Sequence, residues 1–149
     1  MDITIPPGSV AGALTPPCSK SYAQRALAAS LLAEGESTLH NIEFCDDTRS
    51  ALHCIRTLGA DVRQTDSDTL RIRGGLAPRG NRLHVGESGL SARLFTPLAA
   101  LVGEPMFIEG SGSLLRRPMR PLTEALERLG VSVRDNDGRL PVEVQGPLE

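Results

Sequence analysis

The sequence predicts an α/β fold with mixed parallel and antiparallel sheets, built from repeated βαβαββ units of which two are present. Segments recur in the same order along the 149 residues. Arg25-Ala26-Leu27 is followed 68 residues later by Arg93-Leu94-Phe95, and Leu58-Gly59 is followed 71 residues later by Leu129-Gly130. Each copy also alternates between helical and strand periodicity. Because these offsets exceed the length of most solenoid repeats, the recurring unit is a whole supersecondary module.

The first copy has helix and strand signals in a regular order. Apolar residues at helical spacing predict its first helix, and Gly35 ends that helix. Either Asp46 or Asp47 is expected to cap the second helix. We therefore expect a strand near residues 11–15, a helix over 20–33 with Tyr22, Ala26, Leu27, Ala29 and Leu31 on its spacing, a strand over 37–42, a helix with an inner face of Ala51, Leu52, Ile55 and Leu58, and strands over 60–64 and 69–73. Residues 1–6 also resemble a short strand.

The second copy repeats this order. Either Ser88 or Ser91 opens its first helix, and Pro118 begins its second, since proline suits a first helical turn. The acidic turn over residues 135–138 separates the last two strands. We therefore expect a strand near 81–85, a helix to about Leu101, a strand over 105–109, a helix with Leu122, Ala125, Leu126 and Leu129 on one stripe, and strands over 131–134 and 140–144.

Composition argues against some classes of function. The net charge is −2 and aromatic residues make up 3% of the chain, which argues against a nucleic-acid surface that needs a basic face and stacking rings. Three cysteines without a CxxC pair predict free thiols in a reducing compartment. With no signal peptide or membrane span evident, we expect a cytoplasmic protein. The three histidines lack metal-site spacing with the cysteines, so we expect no metal.

Cationic side chains recur at predicted helix starts. Lys20 is the only lysine, and it shares its helix start with Ser21 and Arg25. Arg93 occupies the matching place in the second copy, and Arg117 follows the glycine- and serine-rich residues 110–113. Helix starts present free N–H groups that suit anions. The pattern indicates a ligand with more than one anionic group, if these residues converge; otherwise each arginine is an ordinary surface residue.

Other polar residues near these helix starts have simpler explanations. Asp46 and Asp47 could be a paired carboxylate, but an acidic first helical turn explains both. Cys18 shares a loop with Lys20 and could be activated by it, although a passive small residue in a turn is the simpler reading. A serine nucleophile at Ser88 or Ser91 would lack a neighbouring base.

These motifs carry a family resemblance. Pro17-Cys18-Ser19-Lys20-Ser21 through Arg25-Ala26-Leu27 resembles the opening motif of 5-enolpyruvylshikimate-3-phosphate synthases (3-phosphoshikimate 1-carboxyvinyltransferases). The same holds for the segment from Asp46-Asp47-Thr48 to Leu58-Gly59-Ala60. Residues 86–93 resemble the family's glycine signature, and Arg116-Arg117-Pro118-Met119 resembles the next motif. The matches follow the family's order across nearly the whole chain.

The resemblance implies the enolpyruvyl transferase fold, with six βαβαββ units in two domains. Residues 1–15 would belong to the other domain, 16–80 to one unit and 81–149 to the next, and the C-terminal remainder of the enzyme would be absent. The implied partners are small-molecule substrates and this missing portion, with no nucleic acid or membrane. The implied reaction transfers the enolpyruvyl group of phosphoenolpyruvate to the 5-hydroxyl of shikimate 3-phosphate and releases phosphate, without cofactor. We expect these 149 residues to be inactive alone.

The resemblance also implies residue roles. Lys20 would be catalytic and contact both substrates, Ser21 and Arg25 would bind shikimate 3-phosphate, and Gly89 and Arg117 would bind phosphoenolpyruvate. Arg93 would support them. The sequence departs from the family's usual glycine, asparagine and threonine at Cys18, Glu87 and Leu90 respectively.

Two alternative functions remain. A UDP-N-acetylglucosamine enolpyruvyl transferase shares the early lysine but typically has asparagine after it, whereas Ser21 follows Lys20 here. A non-catalytic module of similar fold that binds anions or RNA is disfavoured by the net charge and the low aromatic content.

Overall fold

Each of the two repeats forms its own β-sheet. The structure is a computed structural model that describes residues 3, 4 and 6–148. The first repeat contains α1 (Lys20–Leu32), β1 (Glu36–Leu39), α2 (Asp46–Thr57), β2 (Asp61–Gln64) and β3 (Leu70–Arg73). The second contains β4 (Arg82–His84), α3 (Gly89–Ala99), β5 (Met106–Glu109), a 3-10 helix (Gly112–Arg116), α4 (Arg120–Arg128), β6 (Ser132–Asp135) and β7 (Val142–Gln145).

The two sheets differ in strand direction. The first has the order β1-β3-β2 and is antiparallel throughout. The second has the order β4-β5-β7-β6, in which β4 and β5 are parallel and the remaining pairs are antiparallel. A parallel pair needs a crossover between its strands, and α3 supplies it. The prediction of an α/β fold with mixed sheets is confirmed, and the second repeat has the full βαβαββ order.

An aliphatic core holds the helices and sheets together. α1 packs against both α2 and α3, so the repeats meet through helices. Leu27 and Leu31 of α1, Ile55 of α2 and Phe95 of α3 are fully buried. Burying a large apolar side chain contributes about 1.5–3 kcal/mol. None of the helices among residues 3, 4 and 6–148 is long and apolar enough to cross a bilayer.

The first repeat lacks the strand predicted near residues 11–15. Residues 6–19 have no regular secondary structure, and residues 6–17 are exposed. A strand needs a neighbour to take up its backbone N–H and C=O groups, and no described segment pairs with this one. The first repeat therefore has the order αβαββ. Residues 1, 2 and 5 of the strand expected over 1–6 lie outside the described residues, and residues 3, 4 and 6 have no regular secondary structure.

Several predicted helix positions also differ. Tyr22 is 78% exposed, and Ala29 is exposed as well. The residue that precedes α2 is Cys45, so Asp46 and Asp47 lie in the first turn instead of capping it. The second helix of the second copy begins at Arg120, after a 3-10 helix that the sequence did not predict.

The predicted stripe of α4 is partly wrong. Leu126 is buried and Leu122 half-buried, but Ala125 is exposed and Leu129 is 55% exposed. Leu129 follows the last residue of the helix, so helical spacing no longer directs it toward the core. Thr123 is buried in place of a predicted apolar residue, and its hydroxyl donates to Asp135 Oδ2 at 3.1 Å.

Candidate functional site

The start of α1 places Lys20 at the edge of a cleft. Ser19 precedes the helix, and its Oγ accepts a hydrogen bond from the backbone N–H of Tyr22 at 3.4 Å. This capping satisfies one of the free N–H groups of the first turn. Lys20 Nζ lies 3.9 Å from Asp47 Oδ2, at the start of α2. The Lys20 side chain is 56% exposed, so the ion pair is loose and Lys20 is open to a stronger anionic partner.

The other two residues of this helix start lie on its surface. Ser21 and Arg25 are both exposed. Arg25 Nη1 donates a hydrogen bond to the backbone oxygen of Ser21 at 3.1 Å, so the guanidinium folds back along α1 toward its N-terminus. This places a second cation on the turn that begins with Lys20.

Two arginines converge on the start of α3. Ser88 caps this helix, with its Oγ accepting from the backbone N–H of Ser91 at 3.2 Å. A Cβ added to Gly89 would lie 3.0 Å from Arg117 Nη1 and 3.2 Å from Arg93 Nη1. Arg93 is held there because it donates to the backbone oxygens of Gly89 and Pro118, each at 3.0 Å. Since Gly89 has no side chain, both guanidinium groups reach the first turn of α3.

A cleft of about 520 Å³ joins elements of both repeats. Lys20 and the α2 start contribute from the first repeat, and the loops after β4 and β5 contribute from the second. The N–H of Ser111 donates to the backbone oxygen of Gly86 at 2.8 Å, which ties those two loops together. The residues that line the cleft are Lys20, Cys45, Asp46, Asp47, Arg49, Ser50, His84, Gly86, Glu87 and Ser111.

Glu87 connects this cleft to the arginines. Its Oε2 accepts hydrogen bonds from both the backbone N–H and the Oγ of Ser113, each at 2.8 Å. These bonds, followed by the charges of Arg117 and Arg116, hold the pKa of the Glu87 carboxyl below its usual value. Gly112 has a φ of +54°, and a Cβ there would overlap the Glu87 carboxyl. The glycine therefore makes room for a carboxylate that lies near the predicted anion site.

The cleft also contains a thiol whose ionisation is favoured. Partial burial opposes ionisation of Cys45, but hydrogen bonds from Thr48 and from the Asp47 backbone, with the charge of Lys20, hold its pKa below the usual value. The Cys45 Sγ lies 3.3 Å from Thr48 Oγ1. By contrast, burial raises the pKa of Cys54 to about 12. All three cysteines are free, as predicted.

The structure brings the predicted site residues into two groups. Lys20, Ser21 and Arg25 share the first turns of α1, and Gly89, Arg93 and Arg117 meet at the start of α3. One buried residue that sequence reasoning missed, Gln24, lies between the groups. Its Oε1 accepts hydrogen bonds from the hydroxyls of Ser88 and Ser91 at 3.0 and 2.9 Å. No local signal identifies it, because a glutamine in a helix is normally exposed.

The described residues offer no cluster of metal ligands. Across residues 3, 4 and 6–148, His, Cys, Asp and Glu side chains do not gather in a group of three or more that could hold an ion.

Comparison with known proteins identifies the family of this chain. The family model for EPSP synthase (3-phosphoshikimate 1-carboxyvinyltransferase) matches residues 5–149. The chain belongs to the EPSP synthase family. The prediction from the motifs is thereby confirmed.

Two relatives show how much of the family's length is present. The chain is 40% identical over 149 residues to the 3-phosphoshikimate 1-carboxyvinyltransferase of Deinococcus radiodurans, covering 98% of this chain and 34% of that protein. It is 41% identical over 145 residues to the one from Thermococcus kodakarensis, covering 97% and 34%. The chain thus spans about a third of the length of these EPSP synthase relatives.

Solved structures agree with the fold. The EPSP synthase of Acinetobacter baumannii matches with a TM-score of 0.79 at 26% identity, covering 91% of this chain and 32% of that one. The enolpyruvyl transferase NikO from Streptomyces tendae matches with a TM-score of 0.52 at 18% identity, which supports the fold alone. The predicted enolpyruvyl transferase fold is confirmed.

Proposed function

We propose that the protein containing this chain transfers the enolpyruvyl group of phosphoenolpyruvate to the 5-hydroxyl of shikimate 3-phosphate and releases phosphate. The observation that carries the proposal is the meeting of Arg93 and Arg117 at Gly89, on the start of α3. Family membership supports the reaction, and the loosely paired Lys20 on α1 supports a second contact with the same ligands.

The chemistry of the substrates suits this arrangement. Both carry phosphate and carboxylate groups, so both need fixed cationic and N–H donors. We assign Ser21 and Arg25 to shikimate 3-phosphate, Gly89 and Arg117 to phosphoenolpyruvate, and Lys20 to both. In this assignment Arg93 supports Arg117 by fixing the backbone at Gly89 and Pro118.

The cations would act most strongly during the reaction itself. Negative charge changes as the hydroxyl loses its proton and adds to the enol phosphate, whose methylene carbon takes up a proton, and again as phosphate leaves and the double bond re-forms. Donors already fixed where that charge develops stabilise the transition state without reorganisation. Closure of a second domain over the cleft would exclude water and align the reactants.

We also propose the domain limits implied by the motifs. Residues 1–15 belong to the other domain of the complete protein, and residues 16–80 and 81–149 form two units. The exposure of residues 6–17 supports this, because such a segment gains no burial from the repeats. The missing part of the enzyme would be the partner of this chain, and the three free thiols support a cytoplasmic location.

Release of phosphate from phosphoenolpyruvate in the presence of shikimate 3-phosphate tests the reaction. We expect release by the complete protein and none by the 149-residue chain, because a third of the length supplies only part of the binding groups. In the complete protein, Lys20→Ala should abolish turnover. Lys20→Arg should also fail, because a forked guanidinium does not replace a compact ammonium in a tight loop.

A matched control keeps these variants interpretable. Arg134→Ala removes a cation that is 81% exposed on β6, so turnover should not change. Near-normal activity of Lys20→Arg would refute the role of Lys20. Turnover with UDP-N-acetylglucosamine in place of shikimate 3-phosphate, or RNA binding without binding of either phosphate substrate, would refute the proposed reaction.

A further inference from the structure

Gln24 is a buried polar residue in a helix that otherwise buries small and aliphatic side chains. It is 2% exposed and lies four residues after Lys20 and one before Arg25. A buried amide costs free energy unless it finds hydrogen-bond partners. Gln24 finds two, since its Oε1 accepts from Ser88 Oγ at 3.0 Å and from Ser91 Oγ at 2.9 Å. Both serines are buried as well.

These two bonds are the polar connection between the repeats. Among the described residues, they are the hydrogen bonds that join residues 16–80 to residues 81–148. The sheets of the two repeats are separate, and every ion pair of the described part lies within one repeat. α1 and α3 also pack against each other, and Leu27 of α1 and Phe95 of α3 belong to one buried apolar cluster. Apolar packing is non-directional, whereas a hydrogen bond fixes distance and angle.

The two hydrogen bonds of Gln24 lie at the start of α3. Ser88 caps α3 and Ser91 donates its N–H to that cap, so the two hydroxyls flank Gly89. On α1, Gln24 lies about one turn after Lys20 and directly before Arg25. The amide therefore joins the two helix starts to which we assign the ligands.

We propose that Gln24 is a positioning residue that sets the start of α1 against the start of α3, so that the two cationic groups face one pair of substrates. The identity of the two substrates in this proposal rests on the proposed function, whereas the placement of α1 against α3 does not. Gln24 contacts no reacting atom in this scheme. It acts through the two serines and through the helix that carries Lys20.

The first test needs no ligand. Residual dipolar couplings of backbone amides report the orientation of α1 relative to α3 in the 149-residue chain. In wild type, one alignment tensor should fit both helices. In Gln24→Met, which keeps the size of the side chain and removes the acceptor, one tensor should no longer fit. Gln24→Glu keeps the shape of the side chain and an oxygen that can accept from both hydroxyls, so with its carboxyl protonated it should again fit a single tensor.

A second variant removes a donor instead of the acceptor. Ser91→Ala should shift the couplings in the same direction as Gln24→Met, and the double variant should add little to either alone. Unchanged couplings in folded Gln24→Met and Ser91→Ala would overturn the proposal. So would a Gln24→Glu variant that behaves like Gln24→Met at a pH low enough to keep its carboxyl neutral, because that side chain has the shape of glutamine and keeps the oxygen acceptor.

Ligand binding separates this proposal from the proposed function. Titration of the complete protein with phosphoenolpyruvate, followed by amide shifts in both helix starts, should give about tenfold weaker binding in Gln24→Met than in wild type, because a site that is no longer preorganised loses affinity. If that variant bound as tightly as wild type, the positioning role would be wrong. If the complete wild-type protein bound neither phosphoenolpyruvate nor shikimate 3-phosphate, the proposed function would fail, while the dipolar couplings would still decide the role of Gln24.

Discussion

Replacement of Gly89 by alanine would separate the role of the two arginines from the stability of the fold. The new methyl group would lie 3.0 Å from Arg117 Nη1 and 3.2 Å from Arg93 Nη1, so each guanidinium would have to retreat by a few tenths of an ångström. Both atoms end flexible side chains. Alanine gains up to about 1 kcal/mol over glycine in a helix, and a loosened hydrogen bond from Arg93 costs about 1 kcal/mol. These effects oppose each other, so the free energy of unfolding should change by less than about 1 kcal/mol.

Anion binding should respond more strongly than stability. A hydrogen bond to a charged group contributes about 1.5–3 kcal/mol, so losing most of one such bond from a displaced guanidinium weakens binding about tenfold. Tenfold is about 1.4 kcal/mol of binding free energy. The methyl group would also cover the helix start that the anion approaches. We expect phosphoenolpyruvate to bind about tenfold more weakly to Gly89→Ala, measured by titration of the amide spectrum alongside urea unfolding.

A second glycine provides the matched control. A Cβ at Gly103 would meet nothing within 4 Å, so Gly103→Ala introduces the same chemical change in open space. It should leave both binding and unfolding unchanged. Wild-type affinity in Gly89→Ala would refute the assignment of the arginines to the anion. A loss of several kcal/mol in stability would refute the view that their guanidinium groups can yield.

Three further predictions concern stability and reactivity. Gly74→Ala should lower the free energy of unfolding by about 2–4 kcal/mol, measured by urea denaturation, because its Cβ would press against backbone oxygens at the end of α1. Iodoacetamide at about pH 8 should label Cys45 in the folded chain and spare Cys54, whose burial raises its pKa to about 12. Mass spectrometry of the peptides measures both labels, and faster labelling of Cys54 than of Cys45 would contradict this prediction. Because the pKa of Glu87 is lowered in the folded state, its carboxylate stabilises the fold above the ordinary value of about 4.3 and loses that effect as the pH falls further. The urea midpoints of wild type and Glu87→Gln should therefore differ at neutral pH and converge in acid; a constant difference would contradict this.

Local chemistry explains which helix starts the sequence could predict. Ser19 and Ser88 each accept a backbone N–H in the following turn, a contact made within three residues. The strand expected near residues 11–15 depended on a neighbour instead, and no described segment supplies one. Propensity predicts extended backbone there but cannot predict a pairing partner.

In the candidate site as well, residues marked by local sequence could be predicted, whereas contacts between distant segments could not. Lys20 and Arg117 were found because glycine, serine and proline mark their loops, but the contact of Arg117 with Gly89 depends on tertiary packing. Gln24 could not be found, since it pairs with residues 64 and 67 positions away. Glu87 was recognised only as a departure from a family pattern, and its bonds to Ser113 join two loops that are remote in sequence.

The separation of the two sheets has a consequence for how such a protein can lengthen over evolution. Because each repeat completes its own hydrogen-bonded sheet, gene duplication can append another repeat without opening an existing ladder. The new copy needs only an apolar helix face and a few well-placed polar residues to join the old one. Tandem growth of this kind leaves every copy with an equivalent helix start, and sequence drift can then equip each start for a different part of one reaction.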